Sequence, residues 1–194
     1  MSNKKTLLSG VKPTGRPHIG NYFGAMRQFV EMQNDYNCFF MLADYHALNL
    51  IQDRAEMSQK ILELAIDYLA LGLDPQKAII FKQSDVSEHT ELTWIFDAIT
   101  TMPYLMRAHA YKDAEAKQKE IVVGTFNYPM LMAADILLYD TDVVPVGADQ
   151  NSMSSTRGTR RRNLILFLKR KFSNCRKRKF CRRLPWCRVP TGRR

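Results

Sequence analysis

Short apolar runs alternate with longer amphipathic segments along the first 150 residues of this chain. The alternation predicts an α/β fold, in which a parallel sheet is covered by helices on both faces. Four runs have the length and apolar content of buried strands: Thr6–Ser9, Asn37–Ala43, Ala78–Phe81 and Val143–Gly147. Four segments carry apolar residues at helical spacing: 18–32, 54–72 with Asp53 as its N-cap, 87–100 and 128–139. In such sheets ligands bind at the carboxyl ends of the strands.

Charge divides the chain at Gln150. Residues 1–150 hold all 19 acidic residues and 13 basic ones, a net charge of −6, whereas residues 151–194 hold 16 Lys or Arg and no acidic residue. The overall charge of +10 therefore comes from the last 44 residues. We predict two segments, a globular domain over 1–150 and a basic tail over 151–194.

The N-terminal run is too short for a signal peptide, and no apolar stretch reaches the length of a membrane helix. We therefore expect a cytoplasmic protein that does not enter a membrane. Cys38 lies in an apolar run and is predicted to be a core thiol. The spacing of the other three cysteines, all in the tail, fits no zinc site, so no bound metal is expected.

The segment Ser9–Asn21 combines a strand end, a loop rich in Gly and Pro, and a helix start. Unpaired N–H groups and the dipole at a helix N-terminus attract anions, so this segment predicts a phosphate site. His18 and Asn21 lie three residues apart and can point the same way from the first turn. Gly20 lets a flat ring approach the backbone. A plain turn followed by a capped helix is the alternative.

Tyr128, Met132 and Asp135 fall on one face of the last predicted helix. A carboxylate on such an apolar stripe needs a hydrogen-bond donor if it is buried. An indole N–H is such a group, because it can only donate. The alternative is an Asp that faces solvent from a core helix.

Two further polar groups come directly after predicted strands. Asp149 and Gln150 come after the run at 143–147, and His46 comes after the strand at 37–43. The carboxyl ends of parallel strands share one edge, so these side chains are expected in the same cleft.

Three separated elements resemble the class I aminoacyl-tRNA synthetases, over residues 1–150. Pro17–Asn21 is similar to their His-Ile-Gly-His element, in the variant ending in Asn that tryptophan enzymes often carry. Tyr128–Leu138 resembles the tryptophan-pocket helix of the bacterial tryptophan enzymes, and Gly147–Gln150 resembles their Gly-x-Asp-Gln element. The resemblance implies a Rossmann-like catalytic domain, incomplete here, with residues 103–125 as a helical excursion from the sheet.

The resemblance also implies roles for individual residues. The residues implied to bind ATP are Lys12, Thr14, Gly15, His18, Gly20, Asn21, Gly147 and Asp149. Those implied to bind tryptophan are Leu8, Gly10, His46, Tyr128, Met132, Asp135 and Gln150. His18 and Asn21, with Lys112 or Lys117, would act on the phosphates in catalysis. Lys12 and Leu8 depart from the Gln and the aromatic residue found in many relatives.

The implied function is that of a tryptophan–tRNA ligase. Such an enzyme joins tryptophan to ATP, with Mg²⁺ on the phosphates, and passes the amino acid from the adenylate to tRNA(Trp). Positioning and charge stabilisation drive this chemistry, and no covalent nucleophile is expected. Members of the family are usually homodimers. This chain lacks the second ATP loop, Lys-Met-Ser-Lys-Ser, and an anticodon-binding domain, so we expect weak binding of ATP and tryptophan and no aminoacylation.

Three alternatives remain. A tyrosyl-tRNA synthetase performs the same reaction on a phenol, although Asp135 beside Met132 argues against it. A small-molecule adenylyltransferase shares the His-x-Gly element but should lack the other two. A nucleic-acid-binding module would depend on the basic tail.

The genetic code connects the tail to the same family. Synonymous codons for Asn151–Gly158, shifted by one base restored in front and with the first two bases of the Thr159 codon added, permit Lys-Gln-His-Val-Glu-Tyr-Thr-Arg-Asp. This stretch resembles the family's sequence immediately after Asp-Gln. The same shift over Arg183–Gly192 permits Ile-Ala-Val-Val-Pro-Gly-Thr-Asp-Gly, which resembles the stretch before the second ATP loop. We therefore predict that residues 151–194 are an out-of-frame translation caused by a one-base deletion after Gln150. A native C-terminal helix, a disordered tag and a nucleic-acid-binding arm are the competing interpretations.

Sequencing the DNA around the Gln150 codon tests this prediction. We expect codons that regroup, after one base is restored, into both of these family-like stretches. Codons in 151–158 or 183–192 that cannot regroup in this way would rule the frameshift out.

Overall fold

The computed structural model describes residues 4–16, 20, 22, 26–106 and 122–145. The chain divides into two compact units, Met1–Ala148 and Asp149–Arg194. All of the described residues belong to the first unit, and the basic tail lies outside them.

Within these residues, three parallel strands form a sheet, in the order β1 (Thr6–Val11), β2 (Asn37–Leu42), β3 (Ala78–Lys82). Leu7 on β1 pairs with Cys38 on β2, which pairs in turn with Ala78 on β3. The first three predicted strands are therefore confirmed, with shifts of one or two residues at their ends.

The helix predicted over 18–32 ends at Met32 as expected, and its predicted start at His18 lies outside the described residues. The helices predicted over 54–72 and 87–100 are confirmed within two residues at each end. The described part of the chain contains six α-helices. They are α1 (Arg27–Met32), α2 (Asp44–Ala47), α3 (Arg54–Ala70), α4 (Glu88–Ile99), α5 (Met102–Leu105) and α6 (Val123–Leu138). A 3₁₀ turn, Gln83–Asp85, comes directly after β3. No helix in the described part of the chain is long and apolar enough to cross a membrane.

Asp53 caps α3 as predicted, since its Oδ1 accepts a hydrogen bond of 2.8 Å from the Glu56 N–H. The predicted start of the last helix at Tyr128 is wrong. That helix begins at Val123, and Pro129 lies inside it. Proline costs the helix one N–H donor, but Pro129 is buried where α6 packs along α4, and this packing offsets the loss.

Helices cover both faces of the sheet. Successive residues of a strand point to opposite faces, so each strand supplies side chains to both helix layers. On one face, Leu7 and Phe40 pack against Phe29 of α1 and Tyr68 of α3. The rings of Phe29 and Phe40 stack with centroids 4.8 Å apart. On the other face, Phe39 of β2 lies 5.1 Å from the ring of Tyr139, at the end of α6.

Cys38 is part of this core. Its thiol is free and buried, and burial raises its pKa to about 11. The prediction of a core thiol is confirmed by its burial, and a raised pKa makes a thiol less reactive.

Val143 forms a parallel bridge with Leu7, on the side of β1 opposite to β2. Its N–H donates to the Thr6 carbonyl at 3.1 Å, and its carbonyl accepts from the Leu8 N–H at 3.1 Å. The predicted strand over 143–147 is reduced to this bridge among the described residues. Pro145 has no N–H to donate to the next carbonyl of β1, which interrupts the ladder.

The strand order consequently reverses at β1. The chain crosses from β1 to β2 on one side, and returns beside β1 at Val143 on the other. Such a reversal opens a crevice at the carboxyl end of the sheet, where ligands of doubly wound folds bind.

Gly10 lies next to this crevice and has no room for a side chain. A Cβ on Gly10 would lie 2.8 Å from the Met41 carbonyl oxygen and 3.1 Å from the Met41 Cβ. We expect Gly10→Ala to push β1 away from β2 and to lower the free energy of unfolding by about 1–3 kcal/mol. Urea denaturation followed by circular dichroism measures this change. Ser9→Ala, one residue earlier, adds no atom and should leave the midpoint nearly unchanged; equal effects of the two variants would contradict the steric argument.

Candidate functional site

The loop after β1 places Lys12 beside α6. The Lys12 Nζ lies 6.0 Å from the ring centroid of Tyr128, at the outer limit of a cation–π contact. Lys12 is exposed as a residue, but desolvation of its ammonium beside the ring lowers its pKa. The structure thus brings a residue predicted to bind ATP next to one predicted to bind tryptophan.

The rest of this loop is open. Thr14 and Gly15 are exposed, and Gly20 is exposed at the helical turn beyond. Gly15 has φ +156°, a conformation that a side chain would strain. Seven of the predicted site residues lie outside the described part of the chain: His18, Asn21, Lys112, Lys117, Gly147, Asp149 and Gln150.

The carboxylate of Asp135 is the best-defined feature of the site. It is only 3% exposed, so it faces the interior of the protein. Oδ1 accepts hydrogen bonds from Gln83 Nε2 at 2.8 Å and from His89 Nδ1 at 2.7 Å. Oδ2 accepts one from His46 Nε2 at 2.9 Å. The alternative of a solvent-facing Asp135 is therefore wrong.

These bonds decide the charge of Asp135. Burial alone would raise its pKa, but the hydrogen bonds and charge interactions with His46 and His89 outweigh burial and lower it. Asp135 is therefore an ionised acceptor at neutral pH. Its partners come from the protein itself, so its burial needs no ligand donor, contrary to the sequence argument.

Each partner is placed by a different element of the fold. His46 lies in α2, directly after β2, and Gln83 lies in the 3₁₀ turn directly after β3. His89 lies in the first turn of α4, and its Nε2 is 3.0 Å from the Tyr139 hydroxyl. All three partners are buried.

A cleft of about 260 Å³ opens beside His46. Its walls come from α2, α4 and α6, and the lining residues are Tyr45, His46, Asn49, Thr90, Thr93, Trp94, Asp97, Gly124, Asn127, Tyr128 and Leu131. Of the predicted tryptophan-binding residues, His46 and Tyr128 thus line one cleft, and Asp135 lies behind His46. Leu8 is buried in β1, and Met132 is half-buried on α6, and neither belongs to the lining.

Gln83 Oε1 and Asp97 Oδ1 are buried without a hydrogen-bond partner among the described residues. Burial raises the pKa of Asp97, against a weak hydrogen bond of 3.3 Å from Asn127. Such a site favours a ligand that brings hydrogen-bond donors.

Sequence reasoning missed Gln83 and His89. The position of Gln83 directly after a strand was the available signal, because it is the same signal that singled out His46. His89 carried none, since a histidine in the first turn of a helix is ordinary.

Comparisons with known proteins agree on one family. The family described as tRNA synthetases class I (W and Y) matches residues 2–163. The tryptophan–tRNA ligase of Fusobacterium nucleatum is 53% identical over 146 residues, and that of Rhodopirellula baltica is 51% identical over 144. These alignments cover 75% and 74% of this chain, and 45% of each relative.

A solved structure gives the same result. The tryptophanyl-tRNA synthetase from Campylobacter jejuni, complexed with ADP and tryptophan, superposes with a TM-score of 0.70 at 50% sequence identity. The match covers 75% of this chain and 46% of that one. The chain therefore spans a little under half the length of its relatives.

The charge on Asp135 makes stability depend on pH. Because its folded-state pKa is lowered, its contribution is present above the unfolded pKa of about 3.9 and is lost as pH falls through the folded value. We expect Asp135→Asn to lower the free energy of unfolding by about 1.5–3 kcal/mol at pH 7. The difference from the parent should shrink as the pH falls below about 4. Urea titrations at several pH values measure it, and a constant difference would show that Asp135 is not the linked group.

Proposed function

Because this chain belongs to the class I tRNA synthetases for tryptophan and tyrosine, we propose that it carries the amino-acid and ATP sites of a tryptophan–tRNA ligase. The observation that carries the proposal is the buried, ionised carboxylate of Asp135. It is hydrogen-bonded to His46, which lines the cleft. An acceptor of this kind suits the indole N–H, which is the polar group that distinguishes tryptophan from phenylalanine. Relatives named tryptophan–tRNA ligase support this substrate.

Tryptophan is proposed to bind between α2 and α6. Its indole N–H would donate to Asp135, with Met132 against the ring and Tyr128 and Gln150 on the α-ammonium. A site built to hydrogen-bond a substrate N–H rejects analogues that lack it, because they forfeit the bond to the charged acceptor.

ATP is proposed to bind where the strand order reverses. Lys12, Thr14, Gly15 and Gly20 come from the loop after β1, which borders the crevice beside Val143. Bound ADP in the Campylobacter jejuni structure supports a nucleotide site in the family. The contacts proposed for His18, Asn21, Gly147 and Asp149 rest on the family resemblance.

The chemistry is a displacement at phosphorus. An oxygen of the tryptophan carboxylate forms a bond to the α-phosphorus of MgATP, the bond to the bridging oxygen breaks, and pyrophosphate leaves with the electron pair. Negative charge grows on the leaving phosphates, so fixed cations and N–H donors accelerate the step. Lys12 would supply one cation, and Lys112 or Lys117 another. In the complete enzyme the adenylate would then acylate tRNA(Trp), in the cytoplasm, as a step of protein synthesis.

The basic stretch over 151–194 has no part in this proposal. We interpret it as the out-of-frame product of the deletion predicted after Gln150. The chain spans 45% of the length of these relatives, and transfer of the amino acid to tRNA(Trp) is proposed as the activity of the whole enzyme.

A homodimer is proposed from an apolar surface near the cleft. Trp94 on α4, Met102 on α5 and Val123 on α6 are 74%, 61% and 73% exposed. The three elements pack together through α6. Exposed apolar groups on adjoining elements are typical of protein interfaces, and a second copy of the chain is the partner that the family implies.

Equilibrium dialysis with radiolabelled amino acids tests the substrate proposal on the whole chain. We expect saturable binding of tryptophan over tyrosine, and at least about a tenfold loss of affinity in Asp135→Asn, because a bond to a charged acceptor is lost. Asp85→Asn, which removes an exposed carboxylate paired with Lys82, is the matched control. Preferential binding of tyrosine would favour the tyrosyl alternative. Steeply salt-dependent binding of nucleic acid without either amino acid would favour the basic module.

Analytical ultracentrifugation tests the dimer. We expect Trp94→Glu to shift the chain toward monomer, because a charge in an apolar interface is costly. Leu62→Glu is the control, since Leu62 is 55% exposed on α3, outside the apolar surface of α4, α5 and α6. Equal behaviour of the two variants, or a monomeric parent, would contradict the proposal.

A further inference from the structure

The two oxygens of Asp135 are not equivalent. Oδ1 accepts from two side chains, Gln83 and His89, both completely buried. A carboxylate oxygen offers about two lone-pair sites, so Oδ1 is saturated. Within the described part of the chain, Oδ2 accepts from His46 alone. One acceptor site on Oδ2 is therefore left, and it is next to the partner of Asp135 that lines the cleft.

With Asp135 taken as the acceptor of the proposed function, we propose that Gln83, His89 and Tyr139 are positioning residues, which hold the carboxylate so that Oδ2 is the oxygen left for the ligand. The inference rests on the proposed function, which it refines to one atom. The ligand class is a heteroaromatic amino acid with a ring N–H.

The orientation depends on the tautomer of His89. Its Nδ1 must carry a hydrogen to donate to the Asp135 carboxylate at 2.7 Å. Where Nε2 carries no hydrogen it is an acceptor, and the Tyr139 hydroxyl, 3.0 Å away, can donate to it. Tyr139 therefore selects the tautomer that presents the donor to Oδ1. Burial, with the nearby charges of Asp135 and Glu88, raises the pKa of Tyr139 and keeps its hydrogen in place.

The ring of His89 is held by packing as well. Its imidazole stacks on Phe81 of β3 with centroids 6.2 Å apart, and lies 5.6 Å from the ring of Tyr139. Phe81 and Tyr139 also contact each other, at 5.4 Å. Without this support the carboxylate could rotate and exchange the environments of its two oxygens, and the acceptor geometry toward the cleft would be lost.

Nuclear magnetic resonance of the whole chain, labelled with ¹⁵N-histidine, tests the tautomer without any ligand. We expect long-range ¹H–¹⁵N spectra to show His89 with its hydrogen on Nδ1, and Tyr139→Phe to shift the Nε2 resonance. A hydrogen on Nε2 alone would overturn the inference, because Nδ1 could not then donate to Asp135.

Competition dialysis tests the positioning role. The probes are tryptophan and its benzothiophene analogue, in which sulfur replaces the ring N–H. We expect His89→Leu to reduce the preference for tryptophan by about tenfold, because Oδ1 loses a charge-assisted bond. His89→Asn, whose side-chain amide can replace the Nδ1 donor, should restore most of the preference. A purely structural role would weaken binding of both probes equally.

The outcomes separate the two proposals. If the parent chain does not prefer tryptophan over its analogue, the proposed function fails. The NMR measurement of the His89 tautomer then still tests whether His89 and Tyr139 orient the carboxylate. If the parent prefers tryptophan and folded His89→Leu keeps the full preference, the positioning role is wrong. Should His89→Leu fail to fold, Tyr139→Phe takes its place with a smaller expected loss, and an unchanged preference there contradicts the inference.

Discussion

The hydrogen-bonded carboxylate of Asp135 is the interaction on which the site depends. A buried charge without partners costs several kcal/mol, and this cost keeps its donors in place. Those donors come from α2, from the 3₁₀ turn after β3 and from α4, while Asp135 itself lies on α6. The charge of Asp135 therefore holds four elements together. These are α2 after β2, the 3₁₀ turn after β3, and the cleft-lining helices α4 and α6. The proposed recognition of the ligand would rest on the same atoms as this stabilisation.

The reversal of strand order at β1 places the second half of the site. The loop after β1 is free to project from the sheet, because the chain leaves β1 on one side and returns at Val143 on the other. Lys12 of this loop meets Tyr128, which lies on α6 two turns before Asp135. A nucleotide near the loop and an amino acid near α6 would thus lie side by side. Adjacency of two substrates is what a reaction governed by positioning requires.

Much of the fold could be predicted because it depends on local chemistry. Apolar runs of strand length gave β1, β2 and β3, and the Asp53 side chain marked the start of α3. The errors arose where packing overrides local preference. The last helix begins at Val123 and not at the predicted Tyr128. Among the described residues the last predicted strand is limited to the bridge at Val143, because Pro145 has no N–H to donate. Periodicity placed Asp135 on one helix face with Tyr128 and Met132 and left open whether that face is buried. The family suggested by the motifs is confirmed by the match over residues 2–163.

By itself the sequence determined the α/β class, the family and the identity of the buried acid, because strand length, helical period and short motifs are written in neighbouring residues. Only the tertiary structure decided what the acid does in the folded chain. Gln83 and His89 are 52 and 46 residues away from Asp135 along the chain. Their meeting depends on strand order and helix packing, which no local pattern encodes. The same packing distinguishes the two carboxylate oxygens, and so turns a conspicuous acidic residue into a directed acceptor.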